Sequence, residues 1–174
     1  MNQSLVITAI GEDRPGIVNE LTEALLNASL NIEDSRMSVL GGEFVIMLLV
    51  TGSETSISAL EKSKDTLSNS LNLNLLTKTT ACKSDIEGYS RYKVSVQGMD
   101  NPGIVHKLAH YLSQQRINIV NMQTDCGHAP HTGTPLFTVN MQVDIPSNQN
   151  INTVQDEFSI VCDELSMDAY FEPE

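Results

Sequence analysis

The chain has 174 residues, 10 of them basic and 22 acidic, for a formal net charge of −12; 40% are hydrophobic and none is Trp. That length suits one domain or two small ones and leaves little room for a large catalytic domain. The negative charge opposes direct nucleic-acid binding, which rests largely on Lys and Arg neutralising phosphates, and the longest apolar run, Phe44 to Val50, is far short of the ~20 residues that cross a bilayer.

Leu5 to Ile10 is a short β-prone run that ends at Gly11, as a strand entering a turn does. The turn continues as Glu12-Asp13-Arg14-Pro15-Gly16, and its proline presets the φ of a first helical turn. Ile17, Leu21, Ala24 and Ala28 then recur at helical spacing. Asn31 to Leu40 and Glu43 to Thr51 read as two strands around Gly41-Gly42, where a positive φ is cheap. Ile57, Leu60, Lys64, Leu67 and Leu71 predict a second helix whose stripe Lys64 interrupts. A fourth strand is expected over Leu71 to Thr79, with Leu71, Leu73 and Leu75 alternating.

The polar stretch Lys78 to Ser90, with Gly88, reads as the connection to a second copy of this pattern. Tyr92 to Gln97 predicts its first strand, and Gly11-Glu12-Asp13-Arg14-Pro15-Gly16-Ile17-Val18 returns as Gly98-Met99-Asp100-Asn101-Pro102-Gly103-Ile104-Val105. Leu21, Leu25 and Leu30-Asn31-Ile32 return in the same register as Leu108, Leu112 and Ile117-Asn118-Ile119, with Ile104, Leu108 and Tyr111 as the helix stripe. The hairpin turn of this copy expands into Asp125 to Pro135, after which Phe137, Val139, Met141 and Val143 answer Phe44, Ile46, Leu48 and Val50. Ile151, Val154, Phe158 and Val161 predict its second helix, and Leu165 to Phe171 its last strand.

The order β-α-β-β-α-β, written twice, predicts an α+β chain of two ferredoxin-like domains in tandem, each an antiparallel sheet with both helices on one face. The expected division is residues 1–80, a linker 81–90, and residues 91–174.

A free amino acid is a zwitterion, so its site needs donors for the carboxylate and an acceptor for the ammonium. A helix start leaves backbone N–H groups unpaired and carries partial positive charge, which suits the carboxylate. Gly16 and Gly103 leave that approach unobstructed, while Asp13 and Asp100 are acceptors and Asn31 and Asn118 can donate and accept. The plainer reading is that Asp and Pro-Gly shape and cap a structural turn, and that the two Asn satisfy local backbone.

A strand, then Asp-x-Pro-Gly-Ile-Val, a helix, then Asn-Ile opening the next strand, resembles the ACT domain, a small-molecule-binding regulatory module, usually for amino acids. Both halves match. The resemblance implies ligand contacts at Asp13, Gly16, Ile17 and Asn31 in the first copy and at Asp100, Gly103, Ile104 and Asn118 in the second, at a module interface. Asp stands at 13 and 100 where some members carry Asn, which places a negative charge near any ligand carboxylate. A free-standing tandem pair is similar to the ACT-type transcriptional repressors of the glycine cleavage system. That likeness implies a non-catalytic repressor that contacts a transcriptional activator protein in response to a small amino acid, glycine, without binding DNA itself. The alternative is a detached regulatory subunit of an amino-acid or one-carbon metabolic enzyme.

The remaining motifs are weaker. Cys126, His128 and His131, beside Asp125, have metal-ligand chemistry but match no standard zinc spacing, so a flexible loop is the simpler expectation and no metal or cofactor is called for. His106 and His110 read as a solvated helix face. Seven acidic and no basic residues between Asp156 and Glu174 read as a solvated face and tail, or a dock for a basic partner. No nucleophile elbow, phosphate-binding loop or acid–base pair points to catalysis. Three cysteines (Cys82, Cys126, Cys162) without close spacing fit reduced thiols, and Met1-Asn2-Gln3-Ser4 has neither the basic nor the apolar part of a secretory signal, so a soluble cytoplasmic protein is expected. Exposed edge strands of this fold can pair within or between chains, giving a homo-oligomer.

Overall fold

The computed structural model describes residues 2–81 and 87–174, with the side chain of Asn2 left aside. Residues 82–86, Cys82 and half of the expected linker among them, lie outside the described residues. The chain divides into two compact units, Met1–Ser84 and Asp85–Glu174.

The first unit runs β1 (Asn2–Glu12), α1 (Ile17–Asn27), β2 (Asn31–Leu40), β3 (Glu43–Ser53), α2 (Glu54–Leu71) and β4 (Asn74–Thr80). The second repeats the order as β5 (Tyr89–Met99), α3 (Ile104–Gln114), β6 (Asn118–His128), β7 (Pro135–Pro146), α4 (Ile151–Glu164) and β8 (Met167–Pro173). Their sheets have the same strand order, β2-β3-β1-β4 and β6-β7-β5-β8, and neighbouring strands run antiparallel. This is the ferredoxin-like α+β arrangement expected from the element order, built twice.

Alternation along the strands separates two faces of each sheet. Leu5, Ile7 and Ala9 of β1, with Phe44, Ile46, Leu48 and Val50 of β3, are buried against Ile17, Leu21 and Leu25 of α1 and Ile57 and Leu60 of α2. Val94 and Val96 of β5, with Val139, Met141 and Val143 of β7, pack in the same way against Leu108 and Leu112 of α3 and Phe158 of α4. Each unit therefore has its own core.

Several boundaries differ from the sequence reading. Leu71 does not begin a strand but ends α2, and Asn72, at φ 54°, turns the chain before β4 begins at Asn74. In α1 it is Leu25, not Ala24, that completes the buried stripe, and in α4 Cys162 is buried where Val161 is only partly so. Lys64 is half-buried and lines a narrow gap with Leu60, Leu67 and Leu75, so its methylene stem covers the core that its charge was expected to interrupt. The long second hairpin is less of a loop than expected. Asp125 to His128 stay in the ladder, paired with Thr138 to Pro135, and only residues 129–134 form the loop. Continued cross-strand pairing satisfies backbone groups that an open loop would leave to water.

Two glycines of the repeated motif exist for close approach. A Cβ on Gly11 would lie 2.8 Å from the Asn72 carbonyl oxygen, and one on Gly98 would lie 2.6 Å from that of Ser166. Neither neighbour is a flexible side chain, which explains why each motif opens with glycine where its first strand passes the start of the last.

Candidate functional site

The two repeated turns join β1 to α1 and β5 to α3. Gly16 (φ 89°, ψ −9°) and Gly103 (φ 86°, ψ 6°) are the N-caps, both left-handed, and neither helix has a side-chain cap. A left-handed N-cap explains the glycine, since any other side chain is strained there. The side chains of Ile17 and Ile104 turn into the cores, so only their backbone remains at the turn. In the first copy the N–H of Ile17 donates to the Arg14 carbonyl at 3.3 Å, and the first regular helical bond is Glu20 N–H to Gly16 at 3.0 Å. In the second, Lys107 N–H donates to Gly103 at 3.0 Å. The N–H groups of Ile104, Val105 and His106 before it have no protein acceptor among the described residues.

The side chains around these turns make them unequal. In the first, Arg14 grips Glu20 through two bonds, Nη1 to Oε1 at 2.7 Å and Nη2 to Oε2 at 2.6 Å. Hydrogen bonding to this guanidinium holds the Glu20 carboxyl below the usual carboxylate range. The Glu20 Oε1 oxygen is 3.7 Å from where a Cβ on Gly16 would stand, so a carboxylate already lies over this turn. In the second copy the corresponding residues are Asn101 and Lys107. Asn101 donates to the Met99 carbonyl at 3.3 Å, and a Cβ on Gly103 would meet nothing within 4 Å. The second turn is open, with a lysine where the first has its acid.

Asp13 is exposed, and its N–H donates to Gly42 in the β2–β3 hairpin at 3.3 Å. Asp100 is also exposed and accepts from the Cys126 thiol, Sγ to Oδ2 3.8 Å. Loss of hydration and the negative charges of Asp100 and Asp125 raise the Cys126 thiol above its ordinary range, which suppresses the reactive thiolate. Asp100→Asn is accordingly expected to speed alkylation of Cys126 several-fold at pH 7, read by mass spectrometry of the Cys126 peptide; an unchanged rate would show that Asp100 does not govern this thiol. Cys162, buried in the second core, is pushed up to about 12 by burial.

Asn31 and Asn118 are not brought to these turns. The chain rises along the first strand, descends through the helix, and only then begins the next strand, so an 11-residue helix separates Asn31 from Gly16 and Asn118 from Gly103, roughly 16 Å of axis. Asn31 Nδ2 donates to Glu33 Oε1 at 2.8 Å, and Thr51 donates to the same oxygen at 2.8 Å. Asn118 lies at the lip of a shallow depression of about 420 Å³ lined by Ser113, Arg116 and Ile119. Within a unit, the carboxamide and the turn form two places and not one pocket wall.

Among the described residues no three His, Cys, Asp or Glu side chains come together as a metal-binding group. His106 and His110 stack at 6.0 Å on an exposed face of α3, and His110 bonds Gln114 at 3.0 Å. No described helix is long and apolar enough to cross a membrane. Sequence reasoning missed Glu20 and the Cys126–Asp100 contact. The signal for Glu20 was present in the repeat itself, since Arg14/Asn101 and Glu20/Lys107 are paired positions where the copies disagree in charge.

The ACT domain family profile matches residues 3–78, and the second unit repeats both the motif and the topology of the first. The first unit matches the ACT family, and the chain has the fold of two ACT-type units in tandem. It is 28% identical over 162 residues to the glycine cleavage system transcriptional repressor of Escherichia coli (strain K12), an alignment that covers 93% of this chain and 85% of that one. Among solved structures, a candidate glycine cleavage system transcriptional repressor superposes with a TM-score of 0.73 at 27% identity, covering 100% of this chain and 98% of the other. An unknown protein from Galdieria sulphuraria superposes with a TM-score of 0.81 at 30% identity, covering 100% and 99%. The likeness thus extends over both ACT units.

Proposed function

We propose that this tandem ACT protein is a non-catalytic, amino-acid-responsive regulator, a repressor of the glycine cleavage system that contacts an activator protein and not the DNA. The observation that carries the sensing step is the open second turn. Three unpaired N–H groups above Gly103 can receive a carboxylate, and Asp100 beside them can receive the ammonium of the same small molecule. Glycine suits such a turn because it carries both charges and no side chain to accommodate. Gly16, Ile17 and Asp13 offer the same groups in the first copy once the Arg14–Glu20 pair yields. Asn31 and Asn118, a helix length away from the turn of their own unit, take no part in this contact.

Two or three charge-assisted hydrogen bonds at ~1.5–3 kcal/mol each, less the cost of immobilising the ligand, place the affinity between about millimolar and micromolar. Titration calorimetry of the full chain with glycine, alanine, serine and larger amino acids is expected to give saturable heat with the small ones; no heat with any of them would overturn the sensing step. For occupancy to control repression, the ligand must bind the partner-competent and partner-free states unequally.

The net charge of −12 supports a protein partner over operator DNA. Pull-down of the activator that depends on glycine, with no shift of operator DNA by the purified protein alone, is the expected result. A DNA shift without any partner would overturn this step, and copurification with a metabolic enzyme would favour the regulatory-subunit reading.

A further inference from the structure

The sheet faces turned away from the helices differ between the two units. In the second unit, residues paired across this face form two adjacent rows. Gln123, Asn140, Ser95 and Tyr170 make one, and Asn121, Gln142, Lys93 and Glu172 make the other. Both rows line a groove of about 330 Å³. At the central positions of the first unit stand Thr8, Met47, Val6 and Leu49. A solvated sheet face is ordinarily polar, but Asn is disfavoured inside strands, and here four carboxamides stand as one block on β6 and β7. The two copies share their core pattern, and only the second carries this array on its outer face.

Bonds within the block fix which groups are left to a ligand. Ser95 Oγ donates to Asn140 Oδ1 at 2.9 Å, which leaves the Asn140 amide hydrogens free to donate. Gln142 Nε2 donates to both Glu174 carboxylate oxygens, at 3.0 and 3.1 Å, which leaves the Gln142 carbonyl oxygen free to accept. These two groups stand two residues apart on one face of β7, roughly 7 Å along the strand. The Asn121 and Gln123 carboxamides, their register partners on β6, have no hydrogen-bond partner among the described residues. Lys93 Nζ lies 4.0 Å from Glu174, which offsets its charge. Glu172, the register partner of Lys93, adds a further carboxylate on β8. Beside it Tyr170, 64% exposed, sets a flat ring at the edge of the groove.

We propose that this groove is a second ligand site, separate from the glycine turns, and that it takes a neutral saccharide. A hydroxyl donates and accepts at once, as a carboxamide does, so a ring carrying several hydroxyls can answer the Asn140 donor, the Gln142 acceptor and the two β6 amides together. An anion cannot, because Glu172 and Glu174 repel it and the one ammonium at the groove is already offset. A sugar phosphate is excluded on the same ground. The C–H face of a sugar ring has an apolar counterpart in the Tyr170 ring. A nucleobase fits less well: it confines its polar atoms to its rim and would lay an apolar face over carboxamides, with a single aromatic ring to stack on. The volume sits at the lower end of the ~300–1,000 Å³ of small-molecule sites, which suits one or two sugar rings. Neutral hydrogen bonds made in competition with water are individually weak, so millimolar dissociation is expected.

Nuclear magnetic resonance titration of the full chain with glucose, maltose and lactose tests this. At least one of them is expected to give saturable shifts at the side-chain amides of Asn121, Gln123 and Asn140 and at the Tyr170 ring. Asn140→Leu is expected to weaken that binding at least tenfold, with circular dichroism and glycine titration unchanged, because Asn140 lies outside both the core and the glycine turns. Tyr170→Ala is expected to weaken it several-fold, and glucose 6-phosphate to bind more weakly than glucose. No saturable shift with any of the three sugars overturns the proposal. So does sugar binding that survives Asn140→Leu, or a sugar phosphate, an amino acid or a nucleoside that fills the groove more tightly than every neutral sugar.

Discussion

Phe158→Ala is expected to destabilise the second unit by about 3–5 kcal/mol, the usual range for emptying a fully buried phenylalanine site. Phe158 has no solvent exposure and is among the largest fully buried side chains. Its ring meets Phe171 edge-on at 5.3 Å and 89° and lies tilted against Tyr111 at 5.7 Å. Truncation therefore forfeits hydrophobic transfer and two favourable aromatic contacts together. Collapse around the hole is restricted, because Tyr111 is tied to α4 by bonds from its hydroxyl to the Val154 carbonyl (3.3 Å) and to Glu157 (3.1 Å). None of these residues belongs to the first core. Differential scanning calorimetry should show the transition of the second unit moving down while that of the first stays in place. Equal loss in both transitions would mean that the cores unfold as one.

The duplication that made the fold readable also limited what could be read. Element order, face and domain class follow from apolar positions repeated in register, because a strand or helix that must cover a core cannot alter its period without losing burial. Boundaries were less legible. Leu71 fits a strand period with Leu73 and Leu75 as well as a helix period with Leu67, and the left-handed bend at Asn72 decides between them. Lys64 interrupts the apolar pattern of a helix face, whereas a long side chain can leave its methylenes on the core and its ammonium in water. In the candidate site, the glycine turns were legible because a positive φ demands glycine. The separation of Asn31 and Asn118 from those turns was not, since proximity across a helix depends on chain direction and not on motif order. The six matching residues of the repeated turn mark the duplication, but the mismatches at Arg14 and Glu20 carry the difference between the copies.

That difference leads to the other large expected effect. Gly103→Val is expected to weaken amino-acid binding by more than about tenfold, whereas Gly16→Val changes it little. Valine at either position meets the same backbone penalty, of order 1–3 kcal/mol for a left-handed non-glycine residue, so fold damage alone predicts similar behaviour for the two variants. Binding distinguishes them. At the second turn a branched side chain covers N–H groups with no other acceptor, and losing one charge-assisted bond of about 1.5–3 kcal/mol is a tenfold effect or more. At the first turn the Glu20 carboxylate, fixed by Arg14, already stands over Gly16, so there is little ligand binding to lose. Glu20→Ala should then release the first turn and raise the calorimetric stoichiometry from one ligand per chain toward two. Because Arg14 depresses the Glu20 pKa, the pair is intact above the ordinary carboxylate range and loosens only as pH falls through the lowered value, so neutral pH is the right condition for the comparison. Two ligands bound per wild-type chain, or binding abolished by Gly16→Val and not by Gly103→Val, would show that Arg14 and Glu20 do not close the first turn.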